Sequence, residues 1–305
     1  MSISLTVLQT GSLRCRTSML TQSSTRPILL RRLRILTDTS WSPYIPIHVF
    51  LISHPEGYIL FDTGMSPKCN DWGYFPFWMP SFRMTAQMMI DSEEGLGELL
   101  RGRGFDLGRE GGEEEEEGGG SGGEGKKRLK AVIVSHLHHD HAGGLSDVVP
   151  DAPVYVTKEH WEAEDGHRLN ALIDGAVPSH WPKNWIPNFL DPLGPAIGPF
   201  ERSYPITKDG KVVAVDTPGH DPGHVSLVVY ADEATYFLTG DATYSLESLD
   251  KEEADGVNSE PLVAVESVRK IKEFCRGTKC VVLPSHDRET MRRAKEREIY
   301  VPTTL

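Results

Sequence analysis

The chain has 305 residues, a formal net charge of −12 and 25% charged residues. That length suits one large α/β domain, and the acidic balance excludes the concentrated positive surface that a nucleic acid or an anionic membrane face requires. Four cysteines, Cys15, Cys69, Cys275 and Cys280, are too few for a disulfide framework and none has a paired metal-ligand spacing, which fits a reducing compartment.

Residues 1–37 hold six arginines, many Ser and Thr and no acid, the composition of a mitochondrial transit peptide, yet Ser2 to Leu8 alternates like a first strand with Gly11 as its turn. Neither a secretory start nor a membrane-length apolar run is evident, so a cytoplasmic protein is expected. Ile45 to Ile52, His54-Pro55-Glu56-Gly57 and Tyr58 to Phe61 predict a hairpin ending in Asp62-Thr63-Gly64. Asp71 to Ile90 gathers Trp72, Tyr74, Phe75, Phe77, Trp78, Met79, Phe82, Met84, Met88 and Met89 around Pro76 and Pro80. This segment is predicted irregular at first and helical later, either a lid over the core or the apolar wall of a substrate pocket. Ser92 to Arg103 reads as a helix. Residues 109–126, with Glu113 to Glu117 set among glycines, lack the apolar content to offset their ordering entropy and read as a disordered insertion within a single 1–305 domain.

Lys130 to Val134 and Pro153 to Val156 read as strands, and Lys158 to Asp165 as the start of a helix. Ala176 to Phe200, rich in Pro and Trp and including Trp181 and Trp185, has no period, and a loop that long is expected to be functional or an interface. The exposed apolar loops point to a homodimer. Strands follow at Val212 to Val215, Val225 to Tyr230 and Thr235 to Leu238, then an amphipathic helix at Ala264 to Arg276 and a last strand at Cys280 to Leu283. Each half thus runs from paired strands through a helix to a strand with polar residues at its C-terminal end. The expected architecture is two sheets face to face with helices outside, and a site at one edge where strand ends converge.

The chemistry-bearing run is His136-Leu137-His138-His139-Asp140-His141, directly after Ala131 to Ser135. Within six residues it offers four histidines and one aspartate able to hold a cation, mounted on a rigid strand. Thr217 to His224, Thr239-Gly240-Asp241-Ala242 and His286 each close a later strand. A lone histidine after a strand is more often structural than a ligand; all of these groups in this order are specific, and metal-assisted hydrolysis is the expected chemistry.

With its His-x-His-x-Asp-His run and the downstream His, Asp and His, the chain resembles the metallo-β-lactamase superfamily from Leu5 to His286. The resemblance implies a four-layer αββα sandwich of two mixed sheets. It also implies that His136, His138 and His220 hold one metal, that Asp140, His141 and His286 hold a second, and that Asp241 bridges. Two divalent ions per chain, zinc by family habit, would share a hydroxide that attacks the substrate, with Asp140 shuttling its proton. His139 fills the motif's variable position and is expected to point away from the metals. His224 is expected to fix its loop, Asp62 to hydrogen-bond the histidine loop, and Asp287 and His160 to be surface or supporting residues.

Asp241-Ala242-Thr243-Tyr244, with Phe61-Asp62-Thr63-Gly64-Met65 and Ser135-His136-Leu137-His138, resembles the N-acyl homoserine lactonases, the quorum-quenching branch. That likeness implies a small-molecule cyclic ester as substrate and Tyr244 as a hydrogen-bond donor to its carbonyl. Trp72, Phe75, Phe77, Trp78, Phe82 and Trp185 would line the pocket. The unusual loops leave open a cyclic amide or carbamate, or a glyoxalase-II-like thioester, although no basic patch suited to glutathione lies near the motifs. A non-catalytic metal-binding protein is disfavoured because no ligand position is missing.

Overall fold

The structure, a computed structural model, describes residues 2–75, 80–107, 127–149, 151–165 and 175–303. The apolar runs of the chain form two sheets. The first comprises β1 (Ser4–Cys15), β2 (Ile45–His54), β3 (Gly57–Phe61), β4 (Ala86–Met89), β5 (Leu129–Ile133), β6 (Val154–Val156) and β7 (Asn188–Phe189) in the order β4-β1-β2-β3-β5-β6-β7. The second comprises β8 (Ser203–Pro205), β9 (Val212–Asp216), β10 (Val225–Tyr230), β11 (Thr235–Leu238) and β12 (Cys280–Leu283) in the order β12-β11-β10-β9-β8. Both are mixed: β3, β5, β6 and β7 run parallel, as do β11 and β12, while the remaining pairs are antiparallel.

Burial on both faces explains why so many strands read as continuous apolar runs rather than alternating ones. Phe50, Ile52, Ile59, Phe61 and Ile133 of the first sheet pack against Ala214, Leu227, Val229, Leu238 and Val281 of the second. Val49, Leu60, Val132 and Val134 turn the other way, onto Leu96, Leu100, Leu145 and Val148 of the flanking helices. On the far side Val228, Phe237 and Val282 cover Val268, Ile271 and Phe274 of the helix Pro261–Gly277. The result is the expected αββα sandwich.

Three local features differ from what the sequence suggests. Gly11 is not a turn: β1 continues through it, with a register shift between Gln9 and Ser12 that its φ of +77° accommodates. The Met-rich end of the aromatic segment is not wholly helical, because after the helix Pro80–Thr85 residues Ala86–Met89 pair antiparallel with Ser12–Cys15. β1 therefore lies between β2 and β4 in the first sheet. The third is a helix, Ile28–Thr37, that the sequence reading passed over. It turns Leu29, Leu30, Leu33 and Leu36 outward and buries Arg31, whose guanidinium donates to the carbonyls of Ser23 (2.6 Å) and Asp255.

The acidic stretch 109–126 lies outside the described residues. Its flanks are held together: Asp106 N donates to Lys127 O at 3.0 Å and Lys127 N to Gly104 O at 3.2 Å. Among the described residues no helix is long and apolar enough to cross a membrane.

Candidate metal centre

Every chemistry-bearing loop leaves the C-terminal end of a strand. β3 and β5 are parallel neighbours, so Asp62 and the His136–His141 run emerge side by side. Asp62, at φ +63°, accepts from Ser135 N (2.7 Å) and Ser135 Oγ (3.0 Å) and faces His141 Nδ1 at 2.8 Å, which ties the two strand ends together. From the second sheet, β9 leads into Thr217–His224, β11 into Asp241 and its parallel neighbour β12 into His286.

These loops bring together two buried donor groups, His136, His138, His220 and Asp241 in one and Asp140, His141 and His286 in the other, each with its ligand atoms within 4.8 Å of one another. Asp241 divides its oxygens between them. Oδ2 lies 3.8 Å from His136 Nε2 and 3.5 Å from His220 Nε2, whereas Oδ1 lies 3.1 Å from His141 Nε2 and 3.2 Å from His286 Nε2. His138 presents Nδ1, 3.1 Å from His220 Nε2, and Asp140 Oδ2 stands 3.6 Å from His286 Nε2.

The opposite ring nitrogens each face a polar neighbour. His136 Nδ1 is 3.0 Å from Ser135 Oγ, His138 Nε2 3.1 Å from Asp221, His220 Nδ1 3.0 Å from Asp255, and His286 Nδ1 3.0 Å from Pro46 O. With outer nitrogens held and inner ones facing each other 3.1–3.4 Å apart, the lone pairs have too few protons to share. A divalent cation resolves that conflict, and imidazole with carboxylate is a donor set that zinc accepts. Burial and the neighbouring imidazoles push His136 and His138 well below the usual histidine range, leaving their lone pairs free. Burial opposes charge on His141 too, but Asp241 and Asp62 hold it well above that range.

A cavity of about 70 Å³ opens onto the centre, lined in part by Leu13, Ile45, Phe82, Asp140, Tyr244 and His286. The Tyr244 ring stands edge-on to His286 at 5.2 Å and His220 at 5.9 Å, and burial with the Asp255, Asp241 and Asp140 carboxylates pushes its phenol well above the usual tyrosine range. Of the expected pocket residues, Phe82 is in the wall and Phe75 stacks behind it at 4.7 Å. Trp72 is not: it is 92% exposed. Trp185 is not either, since it packs with Trp161 and Trp181 on the outer face of the first sheet. Phe77 and Trp78 lie outside the described residues.

His139 lines the same cavity, edge-on to Phe82 at 4.7 Å with Nδ1 3.3 Å from Gly175 O, and takes no place among the converging donors. His224 accepts from Asp241 N at 3.1 Å and meets Thr217 Oγ1 at 3.0 Å, so it holds the loop that carries Asp241. Asp287 and His160 are buried rather than superficial. Asp287 receives Leu246 N at 3.0 Å and Arg293 at 2.7 Å. The sequence reading missed Asp221 and Asp255. Asp221 adjoins a named histidine; Asp255 lies in an Asp-Gly-Val-Asn turn whose only signal is structural.

A profile of the metallo-beta-lactamase superfamily matches residues 100–286. Over 293 residues, 93% of each chain, the sequence is 24% identical to the N-acyl homoserine lactonase AttM of Rhizobium radiobacter. Over 247 residues, 80% of this chain and 82% of the relative, it is 26% identical to the N-acyl homoserine lactonase AiiA of Bacillus thuringiensis subsp. kurstaki. Among solved structures, an N-acyl homoserine lactone hydrolase with N-hexanoyl-L-homoserine at its catalytic metal center aligns with a TM-score of 0.69 and 22% identity, covering 99% of this chain and 98% of that one. The dizinc quorum-quenching lactonase AidC aligns at 0.59 and 16% identity, covering 94% and 88%. A profile that spans more than half of the chain, on a sandwich whose strand ends converge on these histidines and aspartates, places this protein in the metallo-β-lactamase superfamily.

Proposed function

We propose that the protein is a dinuclear-metal hydrolase that opens a cyclic ester of the N-acyl homoserine lactone type. The observation that carries this reading is the division of the Asp241 oxygens between two histidine groups beside a cavity that also holds Asp140 and Tyr244. Similarity to lactonases along most of the chain supports it. His136, His138 and His220, with Asp140, His141 and His286 and the shared Asp241, would hold divalent cations, zinc by the donor set, which would lower the pKa of a water and polarise the ester carbonyl. Asp140 takes the proton of the attacking water and returns it to the departing ring oxygen. Tyr244, kept neutral, donates a hydrogen bond to the carbonyl oxygen as that atom gains charge. Leu13, Ile45 and Phe82 keep bulk water from the reacting bond.

The size of the cavity favours a second reading. The cavity beside the centre is narrow, about 70 Å³, and a small cyclic amide or carbamate is the alternative substrate. The test is turnover of N-hexanoyl homoserine lactone, a simple γ-lactone, an aromatic cyclic carbamate and S-lactoylglutathione by the metal-loaded protein. Hydrolysis of the lactones is expected. Preference for the carbamate selects the second reading, and turnover of the thioester alone overturns both.

A further inference from the structure

His160, on the helix Lys158–Asp165, is 1% exposed. With Glu164 and Asp221 it forms a cluster with the spacing of a cation site, but its hydrogen bonds rule it out as a ligand. Nε2 accepts from Leu137 N at 2.8 Å, and Nδ1 donates to Pro222 O at 2.9 Å. Both nitrogens are therefore committed and one tautomer is fixed, with the proton on Nδ1. Burial pushes the imidazole down to about 4, so the ring is neutral and its acceptor lone pair is available to Leu137.

The two partners of this ring are the significant feature. Leu137 lies between His136 and His138, and Pro222 lies between His220 and His224, so one imidazole spans the loops that carry the three-histidine donor group. The helix start reinforces the span. Thr157 Oγ1 donates to Gly223 O at 2.7 Å and accepts from His160 N at 3.1 Å. Gly223, at φ +68°, allows the approach, since a Cβ there would fall 2.5 Å from both His160 N and Thr157 Oγ1. Asp221, next to Pro222, faces His138 Nε2 at 3.1 Å, so the second loop also approaches the ring of a ligand on the first.

We propose that His160 is a positioning residue of the metal centre, a buried crosslink that sets the separation of His138 from His220 and so the affinity and geometry of the three-histidine site. The proposal rests on the reading of those residues as metal ligands. From sequence His160 is expected only to be a surface or supporting residue, because it stands in no motif and takes its partners from loops at Leu137 and Pro222.

The test is a graded series read by cobalt(II) binding. His160→Gln can accept from Leu137 and donate to Pro222, His160→Asn retains a single amide near Pro222, and His160→Phe keeps a ring but neither bond. Outer partners of metal ligands are typically worth about 10–100-fold in metal affinity. The expected result is a loss of that order for one of the two cobalt sites in His160→Phe, a smaller loss in His160→Asn and recovery to within a few-fold in His160→Gln. The visible cobalt bands should shift in the same order. Wild-type affinity and bands in His160→Phe overturn the proposal, as does a Gln variant that loses cobalt as fully as Phe while its melting temperature falls in parallel. If Phe does not fold, the Asn and Gln variants decide between the same outcomes. Failure of the wild-type protein itself to bind cobalt overturns the metal reading, and is distinguishable because it precedes any substitution.

Discussion

Each histidine of the centre is used at both ends of its ring, and apart from Asp62 on His141 only one end was legible in the sequence. The inward nitrogens belong to residues whose linear spacing marks them, from His136 to His141, then His220, Asp241 and His286. The outward partners are contacts made by folding. Asp255 reaches His220 from 35 residues away, and Pro46 reaches His286 through a backbone carbonyl that no side-chain pattern can announce. Removing such a partner leaves the ring free to turn. Asp255→Ala is expected to weaken one metal by about 10–100-fold in a competitive chelator titration. Tyr244→Phe, by contrast, would on the proposed mechanism remove a donor to the reacting carbonyl and leave the ligands in place. Steady-state kinetics should show kcat lower by about 100-fold, with metal content unchanged by elemental analysis. An unchanged kcat would assign Tyr244 to structure alone.

At the scale of elements, strands buried on both faces were readable because their apolar runs are short and bounded by turns. β4 was misread for a physical reason: Ala, Gln and Met all favour helices, and pairing with Ser12–Cys15 overrode that preference. The helix Ile28–Thr37 escaped notice because its leucines face outward and its anchor is a buried arginine, the reverse of the usual amphipathic arrangement. The loop carrying His220 depends on close packing against the helix Pro261–Gly277. Gly219 has a φ of +122°, and a Cβ there would lie 2.1 Å from Ala264 N. Gly219→Ala is expected to destabilise the fold by about 2 kcal/mol or more, read as a lowered denaturant midpoint. A midpoint equal to that of the parent would show that the loop can move away from the helix.

For the whole molecule, the αββα sandwich was foreseeable from the alternation of strands and helices together with the family resemblance, whereas the shape of the pocket was not. Aromatic content alone could not separate Phe82, in the wall, from Trp72 in solvent or Trp185 on the outer face. The flanks at Asp106 and Lys127 are hydrogen-bonded directly to each other. Replacing 109–126 by about eight Gly and Ser residues should therefore leave the melting temperature within about 2 °C, since loop length costs little. A larger fall would give that stretch a structural role. The central claim is that this fold carries a metal-dependent lactone hydrolase, and it is tested most directly by following ring opening of N-hexanoyl homoserine lactone with the zinc-loaded, chelated and reloaded protein in one series. The account predicts hydrolysis that stops on chelation and returns on reloading with two equivalents of zinc; no hydrolysis by the loaded protein, or hydrolysis indifferent to chelation, would contradict it.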